Sequence, residues 1–181
     1  MRLVVGTARV GDVDEFVAAL GAVGDEHGAA VQAFDAAYVA DRRHLAAAVE
    51  RADRAFDRGE NVAGDRAVEV LLYAAGRRQI REALEMGVGE GEQRVVVVVH
   101  DADGEGDETG AAAAVADRLV DAAVLGDDEA LAAALDGDGG VAGDPDALRA
   151  FFAVSDAELA AAAGDLAGVV RERVALLDVE K

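Results

Sequence analysis

The sequence predicts an α+β fold: a small, mainly antiparallel sheet packed with several helices in a single layered domain. Three observations predict it. Five consecutive valines, Val95–Val99, form a run too short for a helix of its own and suited to a strand buried on both faces. Capped amphipathic segments of helical period outnumber strand-like ones. Three or four strands suffice only for a small sheet, and 181 residues fit one domain, 1–181, with a core of useful size.

Residues 2–10 (RLVVGTARV) read as the first strand. A helix follows over 12–23, with Val13, Phe16, Val17 and Leu20 on one face. Residues 30–40 give a second strand. Asp41 caps a helix over 42–58, whose apolar Leu45, Val49, Ala52 and Phe56 recur with helical spacing, and Gly59 ends it. After the linker 60–65, a second capped helix covers 66–75, and its apolar surroundings make it central. Gly76 breaks it, and a further helix spans 77–86. The valine strand 94–100 is the expected centre of the sheet, sharing it with 2–10 and 30–40. Helices are expected over 110–120 and 128–135. Asp144-Pro145 starts another, with proline in the first turn. Ser155 and Glu158 form a capping box, and the last helix covers 165–177.

Composition narrows the function. The formal charge is −20, and the only lysine is Lys181. An acidic, nearly lysine-free surface of this kind is suited to molar salt. There the Debye length falls to about 3 Å and carboxylates barely repel one another. Cysteine is absent, which excludes disulfides and thiolate chemistry. No signal-peptide pattern opens the chain and no apolar run is long enough for a membrane helix, so a cytoplasmic, non-membrane protein is expected.

The usual parts of catalysis are missing too. No internal lysine can hold a phosphate or form a Schiff base. The one serine, Ser155, is accounted for by its capping box. His27, His44 and His100 stand in unrelated contexts, and His44, on the first turn of a basic helix, reads as a surface residue. Glycines 104, 106 and 110 after the valine strand have the wrong spacing for a dinucleotide loop. The same stretch opens like a calcium loop but has Ala112 where a bidentate glutamate is required. No metal, cofactor or catalytic residue is assigned.

What stands out is the distribution of charge. Residues 42–81 hold nine arginines against six acids, a local net of +3, while the rest of the chain carries −23. Arg51, Arg54 and Arg58 share one stripe of the helix 42–58. The stripe has two readings: a docking surface for phosphate or an acidic partner, or local pairing with Glu50, Asp53 and Asp57. Glu69, surrounded by apolar residues, requires a partner if buried. Arg77 or Arg78 can supply it in a structural ion pair; the other reading is a catalytic acid or base in a small-molecule enzyme.

The run 60–87 (ENVAGDRAVEVLLYAAGRRQIREALEMG) resembles the signature of the TPRKB family, the small kinase-binding subunit of the KEOPS complex. The segments 151–159 (FFAVSDAEL) and 169–180 (VVRERVALLDVE) are similar to that family's closing segments. The acidic loop 101–110 and the glycine-rich 136–143 read as halophile elaborations. The resemblance implies a non-catalytic subunit, here in a halophilic archaeal form, serving threonylcarbamoyladenosine modification of tRNA beside the anticodon. It implies binding to the N-terminal lobe of the complex's small atypical kinase, which acts as an ATPase, and through it to the catalytic subunit. It also implies recruitment of tRNA by the single-stranded CCA end. The tRNA contact is placed at Arg77, Arg78 and Gln79, on the expected N-terminus of helix 77–86, where backbone N–H groups favour phosphate. The protein contact is placed at Arg51, Arg54, Ile80 and Leu176. No DNA or membrane partner is expected. A protein-only scaffold is the remaining alternative.

Overall fold

The computed structural model describes residues 1–125, 135 and 141–177. The α+β class and the antiparallel sheet are as predicted. In chain order the elements are β1 (Arg2–Val10), α1 (Val13–His27), β2 (Ala30–Asp35), a 3-10 turn (Ala36–Tyr38), α2 (Arg42–Arg58), α3 (Arg66–Ala75) and α4 (Ile80–Ala83). A second 3-10 turn (Leu84–Met86) leads to β3 (Gly91–His100), α5 (Glu108–Ala116) and β4 (Val120–Leu125). The closing helices are α6 (Pro145–Phe151), α7 (Asp156–Ala161) and α8 (Leu166–Leu176). The helix expected over 128–135 and the glycine-rich stretch up to residue 140 lie outside the described residues.

The chain divides into two compact units, Met1–Asp35 with Gly87–Asp127 and Ala36–Met86 with Asp128–Lys181. The first holds the sheet, in the order β2-β3-β1-β4. All three pairings are antiparallel, with Val97 opposite both Val4 and Ala33. The valine run is therefore interior to the sheet, and all five valines are buried, as its unbroken apolarity requires. Val95, Val97 and Val99 pack in one cluster with Leu20 and Val23 of α1 and Ala111, Ala112 and Val115 of α5.

Several boundaries moved. Helix α1 runs to His27, past Gly24, where a Cβ would stand 2.5 Å from the Ala29 carbonyl oxygen, so the turn into β2 needs glycine. Val17, assigned to the apolar face of α1, is 52% exposed. Strand β2 stops at Asp35, where the chain turns into 3-10 geometry. Strand β4 was not expected. Among the described residues it pairs with β1, its register shifts between Val5 and Thr7, and Asp121 has φ of 50°, so regular alternation is broken. In the 101–110 loop, the Asp101 carboxylate accepts from the backbone N–H groups of Asp103, Gly104 and Gly106 at 2.7–3.1 Å. These bonds hold its pKa below the usual carboxylate value, against the opposing effect of desolvation. Among the described residues, no group of three or more His, Asp or Glu side chains could hold a metal ion. No helix among them is long and apolar enough to cross a membrane.

The second unit is helical. Its buried set includes Leu45, Ala48 and Ala52 of α2, Val70–Ala75 of α3, Met86, Leu148 and Phe152, and Val169, Val170 and Val174 of α8. Helix α8 packs on α2, α3, α6 and α7. The starts of α2, α3, α6, α7 and α8 are fixed locally. Asp41, Asp65, Asp144 and Asp165 accept backbone N–H bonds as N-caps, and Ser155 with Glu158 closes the expected capping box. The segment leading into α6 lies along the 37–40 segment, with Ala142, Gly143 and Asp144 donating to Ala40, Val39 and Ala37. A Cβ at Gly143 would meet the Ala37 carbonyl oxygen at 2.4 Å.

Candidate partner and RNA surface

The segment that carries the family-like motif begins with α3. Its N-cap Asp65 accepts from Val68, and Gly76 ends it with φ of 58°, the left-handed conformation that a glycine adopts without strain. Glu69, on the first turn, is only 2% exposed. It makes no ion pair with Arg77 or Arg78, which corrects the sequence expectation. Its Oε2 accepts from the backbone N–H groups of Val62 (3.0 Å) and Ala63 (2.7 Å) instead. The carboxylate thus organises the 60–65 linker. A buried acceptor shared by two amides is poorly placed to serve as an exposed general acid or base. Removing it would strand both donors, so Glu69→Ala is expected to lower unfolding free energy by about 2 kcal/mol. Glu69→Gln, which keeps a carbonyl acceptor, should lose less than half of that in a denaturant titration.

The helix expected over 77–86 is shorter and later. Residues 77–79 form a turn, α4 spans four residues, and the chain then tightens into 3-10 geometry. Arg77 and Arg78 therefore precede the helix, with Gln79 at its N-cap position. Both arginines are half-buried and engaged. Arg77 Nη2 donates to the Phe151 carbonyl (2.7 Å), its guanidinium lies 5.2 Å from the Phe151 ring centroid, and Glu82 stands 3.7 Å from its Nε. Arg78 Nη2 donates to the Leu177 carbonyl (2.8 Å). Gln79 is exposed, and its side chain makes no cap hydrogen bond.

Beyond the turn, apolar side chains face solvent. Ile80 is 44% exposed and Leu84 57%. Their spacing of four puts them on neighbouring positions of one edge. Leu176, on the last turn of α8, is 39% exposed, while Val170, Val174 and Leu177 of the same segment are buried. The sequence singled out Ile80 and Leu176. It missed Leu84, whose signal was its place four residues after Ile80.

On α2 one arginine of the stripe, Arg54, forms a local ion pair, and Arg66 of α3 pairs with the neighbouring Asp53. Arg54 donates to Glu50 at 2.9 Å, and Arg66 of α3 donates to Asp53 at 2.6 Å while lying over the Phe56 ring. Arg51 is half-buried, its Nη1 3.5 Å from the Ala47 carbonyl. Arg58, Arg43 and Arg81 are exposed and have no ion-pair partner among the described residues. His44 corrects the sequence reading most sharply: it is fully buried, not on the surface. Its Nδ1 accepts from the Ala40 N–H (3.2 Å), so Nε2 carries the proton and donates to the Ala74 carbonyl (2.8 Å). Burial, and to a smaller extent Arg171, push its pKa down to about 4 against the opposing bond to Ala74.

What these elements define is an α+β protein in which Ile80, Arg81, Leu84 and Leu176 are exposed. The chain matches the family model for kinase binding protein CGI-121 over residues 17–178, and it belongs to that family, the TPRKB family that its central motif resembles. A search of curated proteins gives no match.

Proposed function

We propose that this chain is the non-catalytic, kinase-binding accessory subunit of a KEOPS complex, working in a cytoplasm of high salt. It docks the complex's small atypical kinase, and through it the catalytic subunit, and it helps recruit tRNA by the CCA end for threonylcarbamoyladenosine modification. The family's description as kinase-binding supports the first part. The observation that carries it is that Ile80 and Leu84, within the motif, and Leu176, at the end of α8, face solvent in a strongly acidic chain. Apolar centres ringed by charge are what protein interfaces use. For RNA, the free amide of Gln79 and the exposed Arg81 flank Ile80, so hydrogen-bonding, cationic and apolar groups adjoin one another as single-stranded recognition requires. At molar salt such contacts outlast bulk phosphate attraction, which fades as counterion release is lost.

Purification from a native cytoplasm in molar salt, with identification of bound protein and RNA, tests both parts. A kinase and tRNA together support the reading, and a kinase alone reduces it to a protein scaffold. Leu176→Asp is expected to weaken kinase binding at least tenfold, about 1.4 kcal/mol, with an unchanged circular dichroism spectrum. If the variant unfolds, Leu176 belongs to the core and the interface lies elsewhere.

A further inference from the structure

Three successive residues of the motif, Gly76, Arg77 and Arg78, each meet a distant part of the same unit. The Arg173 carbonyl oxygen lies 3.5 Å from where a Gly76 Cβ would stand. Arg77 donates to the carbonyl of Phe151, the last residue of α6. Arg78 donates to the carbonyl of Leu177, the residue that ends α8. Both accepting oxygens belong to helix C-termini, whose last carbonyls have no partner within the helix and carry the negative end of its dipole. A guanidinium answers both needs at once.

We infer that the Arg77–Arg78 pair is a positioning clamp on two helix C-termini, and that it assembles the partner surface rather than touching the partner. Arg78 fixes the backbone of Leu177, and therefore the neighbouring Leu176, against the turn that leads two residues later into Ile80. The exposed edge of α4 and the end of α8, nearly a hundred positions apart in sequence, are joined at that bond. The identity of the partner rests on the kinase-binding reading above; the clamp itself does not.

The test compares Arg78→Met, which keeps the stem and removes the donors, with Arg78→Lys, which keeps one donor able to reach the carbonyl. Three quantities are read: amide hydrogen exchange over 170–177 in the free chain, affinity for the purified kinase, and affinity for tRNA. In Arg78→Met, exchange at the end of α8 should rise at least tenfold and kinase affinity should fall at least tenfold. Arg78→Lys should restore most of both. Combining Arg78→Met with Leu176→Asp should weaken binding no further than Leu176→Asp alone, because Arg78 acts through that residue. Unchanged exchange in Arg78→Met overturns the clamp, and loss of RNA affinity alone would mark Arg78 as a direct RNA contact. If the wild-type chain binds no kinase, the kinase-binding reading fails while the exchange result still decides the clamp.

Discussion

Replacing Asp41 by alanine is expected to cost about 4 kcal/mol of stability, the largest loss of any single polar substitution proposed for this protein. Asp41 is only 4% exposed. One oxygen accepts from the His44 N–H as the N-cap of α2, and the other takes a short contact from Arg171 of α8. Losing a cap costs about 1 kcal/mol. Breaking a fully buried ion pair costs about 3–5 kcal/mol, because the surviving charge is left uncompensated, and the 27% exposure of the Arg171 side chain puts this pair at the low end. Arg171 keeps a partial substitute in Asp165, 3.7 Å from its Nη2, which holds the total near the lower end. A guanidinium titration in molar potassium chloride checks the value. Asp41→Asn, which keeps the capping oxygen, should lose about 3 kcal/mol. A loss below 1 kcal/mol for the alanine variant would mean that the pair contributes little.

Acid should destabilise the protein through His44. The folded pKa near 4 lies below the ordinary histidine value of 6.5. The unfolded chain therefore takes up a proton as the pH falls below about 6.5, while the folded chain does not do so until about 4. Stability from this group is fully present above 6.5 and is lost progressively down to about 4. The whole difference amounts to about 3 kcal/mol, and about 1.4 kcal/mol of it should disappear between pH 7.5 and 5.5. His44→Gln should be less stable at neutral pH but lack that slope. An equal slope in both proteins would contradict a neutral, buried His44.

How much could be read from the sequence varied with the range of the interaction. The valine strand, the Asp41 cap, the Asp144-Pro145 helix start, the Gly59 and Gly76 stops and the Ser155 capping box are decided within a few residues, and all of them hold. The failures are tertiary. His44 looked like a surface residue because arginines precede it, yet the α2 N-terminus faces the end of α3, and the Ala74 carbonyl gives the ring a buried partner. Glu69 was correctly marked as buried, but its partners are backbone amides seven and six residues earlier, which carry no side-chain signal. Arg77 and Arg78 were legible as exceptional. Their acceptors, the carbonyls of Phe151 and Leu177, belong to helix ends that no local pattern connects to the motif. Strand β4 escaped because a bulged edge strand rich in alanine has neither the apolar run of β3 nor clean alternation.

The measurement that bears most directly on kinase binding is hydrogen exchange of the chain with and without the purified kinase, in molar salt. The account predicts protection over residues 80–86 and 170–177, where Ile80, Leu84 and Leu176 lie exposed, and little change in α1 or the 101–107 loop. Protection confined to α1 and that loop, or none at saturating kinase, would contradict it.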